Sequence, residues 1–289
     1  MLISARNITK VYKKRKVLNI KELSIEEGKI YGVVGENGAG KTTLIRLLSG
    51  LLLPDSGEIN IADKSMRMGL MIEKPAIDEH LTAMENLIWL SKVYGFQDCI
   101  DAVDLLKIVQ LDEVSDKKVR FFSLGMKQRL GIAMCLINKP KLLLLDEPMN
   151  GLDPKGMIDI RKVLYDINRE GTTIFISIHI LGELYKLATD FVFIKKGEIV
   201  SEKSSKELED IMGHVYEMST SDNEKAAKLL EEEFNCTVHS SENVLSFEFA
   251  EDGLLPLSKK LAQNNVYILE LHEQKFDIEK CYLKIMGVI

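Results

Sequence analysis

Gly35, Glu36, Asn37, Gly38, Ala39, Gly40, Lys41, Thr42 and Thr43 follow the pattern G-x-x-x-x-G-K-[ST]. The glycines let the backbone bend tightly and turn its N–H groups inward onto phosphate oxygens. A helix starting at the lysine would add its positive end. Lys41 has the reach for β- and γ-phosphates, and the Thr42 hydroxyl suits a magnesium ion. A second chemical unit, Asp146 and Glu147, follows the apolar run 142–145. A strand ending in two carboxylates presents them at the carboxyl edge of an open sheet, where ligands bind. There Asp146 would hold Mg2+, directly or through water, and Glu147 would orient or deprotonate an attacking water, the task of a general base. His179 follows the run 172–178 and can either contact a γ-phosphate or hold Glu147 and the water in place. Ser123 and Gly125 precede the helical run 130–137. Ser123 reads as an ordinary N-cap, although an exposed helix start is also an anion site.

The elements that must position these groups are legible in the patterning. Residues 2–27 alternate apolar and polar, with a Lys/Arg-rich turn at 13–16, and predict antiparallel strands. A short apolar strand at 30–34 leads into the glycine loop. A helix over 41–49 carries Leu44, Leu47 and Leu48, and Gly50 suits the position after its end. Residues 75–138 are mostly helical in pattern, with Met84, Leu87, Ile88 and Val93 on one face and Val103, Leu106 and Val109 or Ile108 on another. Strands at 141–145 and 172–178 flank a helix that Asp153 caps and Pro154 opens. Its apolar face is Met157, Ile160, Leu164 and Ile167, and Gly171 ends it. Strands alternating with helices indicate a mostly parallel sheet. A hairpin over 191–201 turns at Lys196-Gly197. After about residue 203 a charged helix or linker leads into a tail whose order is β-α-β-β-α-β: a strand at 215–220, a helix at 224–234, strands at 236–240 and 244–250, a helix at 253–264 and a strand at 266–272. That order matches a split βαβ unit, and a last helix over 276–286 follows it.

The chain has 289 residues and a net charge of -6. Its length allows a large core plus a smaller domain, and its acidity disfavours nucleic acid as a partner. Cys99, Cys135, Cys236 and Cys281 share no metal-ligand spacing and read as buried free thiols. The first sixteen residues have no apolar stretch after their basic residues, and no run approaches the ~20 residues of a spanning helix. A cytoplasmic protein is expected, with any membrane role exerted through a partner.

These pieces, in this order, resemble the ATP-binding subunit of an ATP-binding cassette (ABC) transporter, over residues 1–205 and more loosely beyond. Residues 35–43 resemble its Walker A motif, 142–147 its Walker B motif and 150–153 its D-loop. Residues 122–129 resemble the signature, usually LSGGQ, and His179 resembles the switch histidine. Tyr12 stands where the family stacks an aromatic ring on adenine, although a tyrosine at a strand end is also commonly core. The resemblance implies an α/β fold: a P-loop NTPase cassette over 1–205, with an antiparallel β subdomain, a mixed, mostly parallel core sheet and a helical subdomain at about 75–138. A small α+β C-terminal accessory domain over 206–289 would pack near it and help dimerisation. The implied cofactors are ATP and Mg2+. The implied partners are a second copy, bound head to tail, and separate transmembrane permease subunits that hold the cassette at the inner face of the cell membrane. Each ATP would lie between the loop of one copy and Ser123 and Gly125 of the other.

Two departures stand out. Phe122, Leu124 and Met126 replace the usual Leu, Gly and Gln of the signature. Glu73 follows the strand 68–72 where the family usually has glutamine. A glutamine amide can ligate magnesium and also donate a hydrogen bond, whereas an ionised glutamate only accepts and adds negative charge beside the metal. That place beside the metal makes Glu73 both a catalytic and a metal-site candidate, and residues 69–75 resemble the subgroup that exports bacitracin-like peptides and lantibiotics, where glutamate is common at this position. The alternatives are a generic multidrug or small-molecule exporter and a soluble non-transport cassette. The latter would need a second cassette or a coiled-coil insertion between the Walker motifs. A silent regulator conflicts with intact Lys41, Asp146, Glu147 and His179. The resemblance further implies that 75–95, with Trp89, Tyr94 and Phe96, receives a permease helix, with Trp89 read as core of the helical domain.

Overall fold

The computed structural model describes residues 1–95, 101–212, 214–241, 243–249, 254–274 and 277–287. Phe96, Cys99 and the outer ends of three expected tail elements, at 250, 253 and 276, lie outside the described residues. The chain divides into two compact units, Met1–Ser205 and Lys206–Ile289.

The first unit opens with a hairpin, β1 (Ile3–Tyr12) and β2 (Arg15–Ile25). Its turn is Lys13-Lys14, with φ of 47° and 67°, the left-handed pair that matches the twist of a two-residue hairpin. Then come β3 (Ile30–Val34), α1 (Lys41–Leu48), β4 (Ser56–Ile61), β5 (Met68–Ile72), α2 (Ala83–Val93) and α3 (Ala102–Ile108). They are followed by α4 (Leu124–Leu136), β6 (Leu142–Asp146), α5 (Pro154–Arg169), β7 (Thr173–Ser177), α6 (Leu181–Tyr185), β8 (Asp190–Lys195) and β9 (Glu198–Ser204). One sheet has the order β2-β1-β4 and is antiparallel. The other runs β5-β6-β7-β3-β8-β9, parallel except for the final β8–β9 pair.

Burial on both faces explains the continuous apolar runs of β3, β6 and β7. On one face Leu142 and Leu144 meet Leu44, Ile45 and Leu48 of α1, and the antiparallel sheet closes over that helix with Ile8, Leu18 and Ile20. The hydrophobic face of α5 is Ile160, Val163, Leu164 and Ile167. The carboxyl ends of β3, β6 and β7 thereby stand side by side, with the phosphate loop following one and the two carboxylates following another.

The helical segment corrects the patterning. The buried side of α2 is Ala83, Asn86, Leu87 and Ser91, while Ile88 and Val93 are exposed. Asn86 takes a core position because its amide is satisfied: Nδ2 donates to the carbonyls of Asp78 and Thr82, and Oδ1 accepts from the Asp78 N–H. Trp89, read as core, is 55% exposed, and Tyr94 is exposed too. In α3, Leu106 is buried and Val103 is exposed.

The second unit holds α7 (Ser205–Met212, which begins at the unit boundary), β10 (Val215–Thr220), α8 (Asn223–Phe234) and β11 (Val238–Ser241). It continues with β12 (Val244–Glu248), α9 (Leu254–Gln263), β13 (Ile268–Glu273) and α10 (Ile278–Ile285). Its sheet, β11-β12-β10-β13, is antiparallel throughout, the pairing of a split βαβ unit. Its own core includes Met218, Leu230, Phe247 and Leu261.

Candidate nucleotide site

The phosphate loop joins β3 to α1. Gly40 is the N-cap of α1, with φ 111° and ψ 6°, and supplies no side-chain cap. A Cβ there would stand 2.7 Å from Leu18 Cδ2, so both the left-handed backbone and the close approach require glycine. The first-turn amides of α1 are left for a ligand. Glu36, Asn37 and Gly38 form an exposed crest, and Ala39 is buried beneath it. Lys41 is 6% exposed, and its Nζ donates to Gly35 O at 2.7 Å and Glu36 O at 3.3 Å. Burial pushes its pKa down, against the attraction of Glu147 and Asp146. A phosphate arriving here meets a desolvated ammonium and uncapped amides, the preorganised donors that bind an anion strongly.

Asp146 ends β6 and is 2% exposed. Its Oδ2 accepts from Thr42 Oγ1 at 2.6 Å, and its Oδ1 accepts from Ser177 Oγ at 2.6 Å. The hydroxyl and carboxylate oxygens of Thr42 and Asp146 are therefore adjacent, a hard-oxygen pair of the kind that holds Mg2+ through one or two protein ligands. Thr43, half-buried, follows in the first turn of α1.

Glu147 turns out of β6 with φ 54°. Its N–H donates to the Ser177 carbonyl at 3.0 Å and to Ser177 Oγ at 3.1 Å. Its carboxylate meets His179 Nε2 at 2.6 Å, and Asn150 Nδ2 reaches the other oxygen at 3.5 Å. A left-handed non-glycine residue is uncommon, and here it aims a carboxylate off the strand end. Ser177, hydrogen-bonded to both Asp146 and Glu147, is the residue of this candidate site that motif reasoning missed. It lies inside an apolar run and looks like strand filler.

Glu73 repeats the left-handed turn after the neighbouring strand β5, with φ 60°. Its carboxylate is 3.5 Å from Arg46 of α1, a loose and exposed pair. Tyr12, at the end of β1, is 42% exposed, with Lys10 Nζ 5.9 Å from its ring centre; it is not a core residue. Ser123 caps α4, its Oγ accepting from the Met126 N–H at 3.3 Å, and a hydroxyl so placed still has its own proton to give. A Cβ on Gly125 would have Leu152 and Gly156 as neighbours. The contacts of Ser123 and Gly125 thus lie at α4 and the start of α5, while Lys41, Thr42, Asp146, Glu147 and His179 are brought together. Phe122 is buried and Leu124 is exposed, so the signature's first departure is a packing anchor. A larger cavity, about 1060 Å³, lies among residues of α3, α4 and α5 and contains none of these groups.

The sequence model of the ABC transporter family matches residues 18–150. The bacitracin transport ATP-binding protein BcrA of Bacillus licheniformis is 35% identical, over 99% of this chain and 97% of that protein. The chain belongs to the ABC transporter family. The lantibiotic transport ATP-binding protein SrtF of Streptococcus pyogenes is 40% identical over 74% of this cassette chain and 96% of its own length. Among solved structures, the dimeric post-hydrolysis state of the ATP-binding cassette MJ0796 bound to ADP and Pi aligns with a TM-score of 0.62 and 25% identity. It covers 71% of this chain and 99% of that one. The cassette is an ATPase with the fold of this family. Among the described residues, no helix of the cassette is long and apolar enough to cross a membrane.

Proposed function

We propose that this cassette is the ATP-hydrolysing subunit of a peptide-antibiotic exporter. The observation that carries the hydrolytic reading is the Glu147–His179 pair at 2.6 Å beside the Thr42–Asp146 pair. The residues from Gly35 to Thr43 take the phosphates of ATP, and Lys41 bridges its β- and γ-phosphates. Tyr12 stacks on adenine. Thr42 and Asp146 would hold Mg2+, which neutralises charge on the phosphate oxygens during transfer. Glu147 orients or deprotonates the attacking water, and His179 and Asn150 keep its carboxylate turned toward the site. Ser177 fixes Asp146 and the Glu147 backbone. Ser123 and Gly125 serve the ATP of a second copy, which fits their contacts away from their own loop. Separate permease subunits place the cassette on the inner face of the membrane.

The expected outcome for Glu147→Gln is a loss of hydrolysis of roughly 10²-fold or more, as for a missing general base, with ATP still bound and the dimer trapped. Near-normal turnover would overturn the role of Glu147. The peptide cargo follows from relatives whose names specify bacitracin and lantibiotic transport, together with Glu73 in place of glutamine. Deleting the gene is expected to raise sensitivity to bacitracin-like peptides or lantibiotics. Unchanged inhibitory concentrations for both, with raised sensitivity to unrelated drugs, would favour a generic exporter.

A further inference from the structure

The phosphate loop has a second set of neighbours outside every motif described above. The Asn19 N–H donates to Gly197 O at 2.8 Å, and the Gly197 N–H donates to Ala39 O at 2.9 Å. The middle of β2, the β8–β9 turn and the loop are therefore tied in series. Beside the loop lies a cavity of about 700 Å³, walled by the loop from Glu36 to Ala39 and by Arg15, Lys16, Lys195 and Lys196 of the two hairpin tips. Four cations thus border one cavity against the single carboxylate of Glu36, in a chain whose net charge is -6. The concentration is local and comes from the fold, because residues 15–16 and 195–196 are distant in sequence.

We propose that Arg15, Lys16, Lys195 and Lys196 form a cationic wall of the nucleotide site that takes the charge of a nucleoside triphosphate alongside Lys41. This rests on the assignment of residues 35–43 to ATP. Lys41 alone faces two carboxylates, Asp146 and Glu147, so the site's own motif residues offer little net positive charge. A one-sign cleft focuses its field and raises the local concentration of a counter-ion. Charges within the ~8–10 Å screening length at ordinary salt still act on the ligand. The wall reads charge rather than base, so it favours ATP over ADP and ADP over AMP.

The test is equilibrium binding of ATP to the full chain at about 50 mM and about 300 mM salt, a range that strongly changes the screening length. In R15Q/K16Q/K195Q/K196Q, Kd is expected to rise about tenfold at low salt, with a shallower salt dependence, as four solvent-accessible charge contacts would give. The charge-keeping variant R15K/K16R/K195R/K196R is expected to bind like the parent. Affinity within about twofold of the parent in the glutamine variant, below any multi-charge effect, overturns the wall. So does an equal loss in the charge-keeping variant, which would mean a purely structural role. Lys41→Ala separates the two assignments. If it loses ATP while the glutamine variant does not, only the wall is wrong; if neither loses ATP, the site assignment falls with it.

Discussion

Ser177 sits between the two carboxylates of the site, buried, donating to Asp146 and accepting from the backbone of Glu147. Ser177→Ala would leave Asp146 Oδ1 without that donor and one N–H of Glu147 with a single acceptor. The expected cost is about 1–3 kcal/mol of stability, the penalty for a buried polar group losing its partner, read as a lower urea midpoint. ATPase activity should fall as well, since both carboxylates lose their alignment. The Arg46–Glu73 pair contrasts with this. Both side chains are largely exposed, at 42% and 73%, and such pairs contribute only ~0–1 kcal/mol. What orients Glu73 is its left-handed backbone after β5. Motif spacing identified Glu147 and Glu73 as carboxylates at strand ends, but it carried no sign of that backbone conformation.

At the level of elements, the loop that follows β5 is locked onto α4, the helix that Ser123 caps. Gly131 of α4 faces Pro75, and a Cβ there would stand 2.4 Å from Pro75 Cβ and 2.9 Å from Met71 Sδ. Alanine gains about 1 kcal/mol of helix propensity over glycine. Overpacking a rigid contact costs about 1–3 kcal/mol, and a proline ring cannot swing aside. Gly131→Ala is therefore expected to destabilise the cassette, and a raised thermal midpoint would refute this contact. The same contact joins the Glu73 loop mechanically to the helix that begins at Ser123, so the variant is a probe of communication between them. In α2 the helix itself was legible and its buried side was not. A periodicity count puts Ile88 and Val93 inward, whereas Asn86 and Ser91 win the core positions by satisfying their polar atoms locally: Ser91 Oγ donates to the Ile88 carbonyl.

At the level of the whole molecule, each unit has its own core. The second unit is proposed as an accessory domain that helps two copies associate. Truncation after residue 205 is expected to leave a cooperatively folding cassette that binds ATP yet dimerises less readily, as light scattering with the Glu147→Gln background would show. Normal dimerisation of the truncated chain would remove that role. The sequence by itself determined the strand–loop–helix around Lys41, the acidic end of β6, the succession of strands and helices along the tail and membership of the ABC family. All of these are carried by residues close together along the chain, where spacing and local backbone preference dictate structure. Only the tertiary structure decided that Ser177 clamps Asp146, that Pro75 rests on Gly131, and that two hairpin tips bring four cations to the phosphate loop. Those contacts join residues dozens to more than a hundred positions apart, and their partners are chosen by sheet order and packing, which no local pattern records.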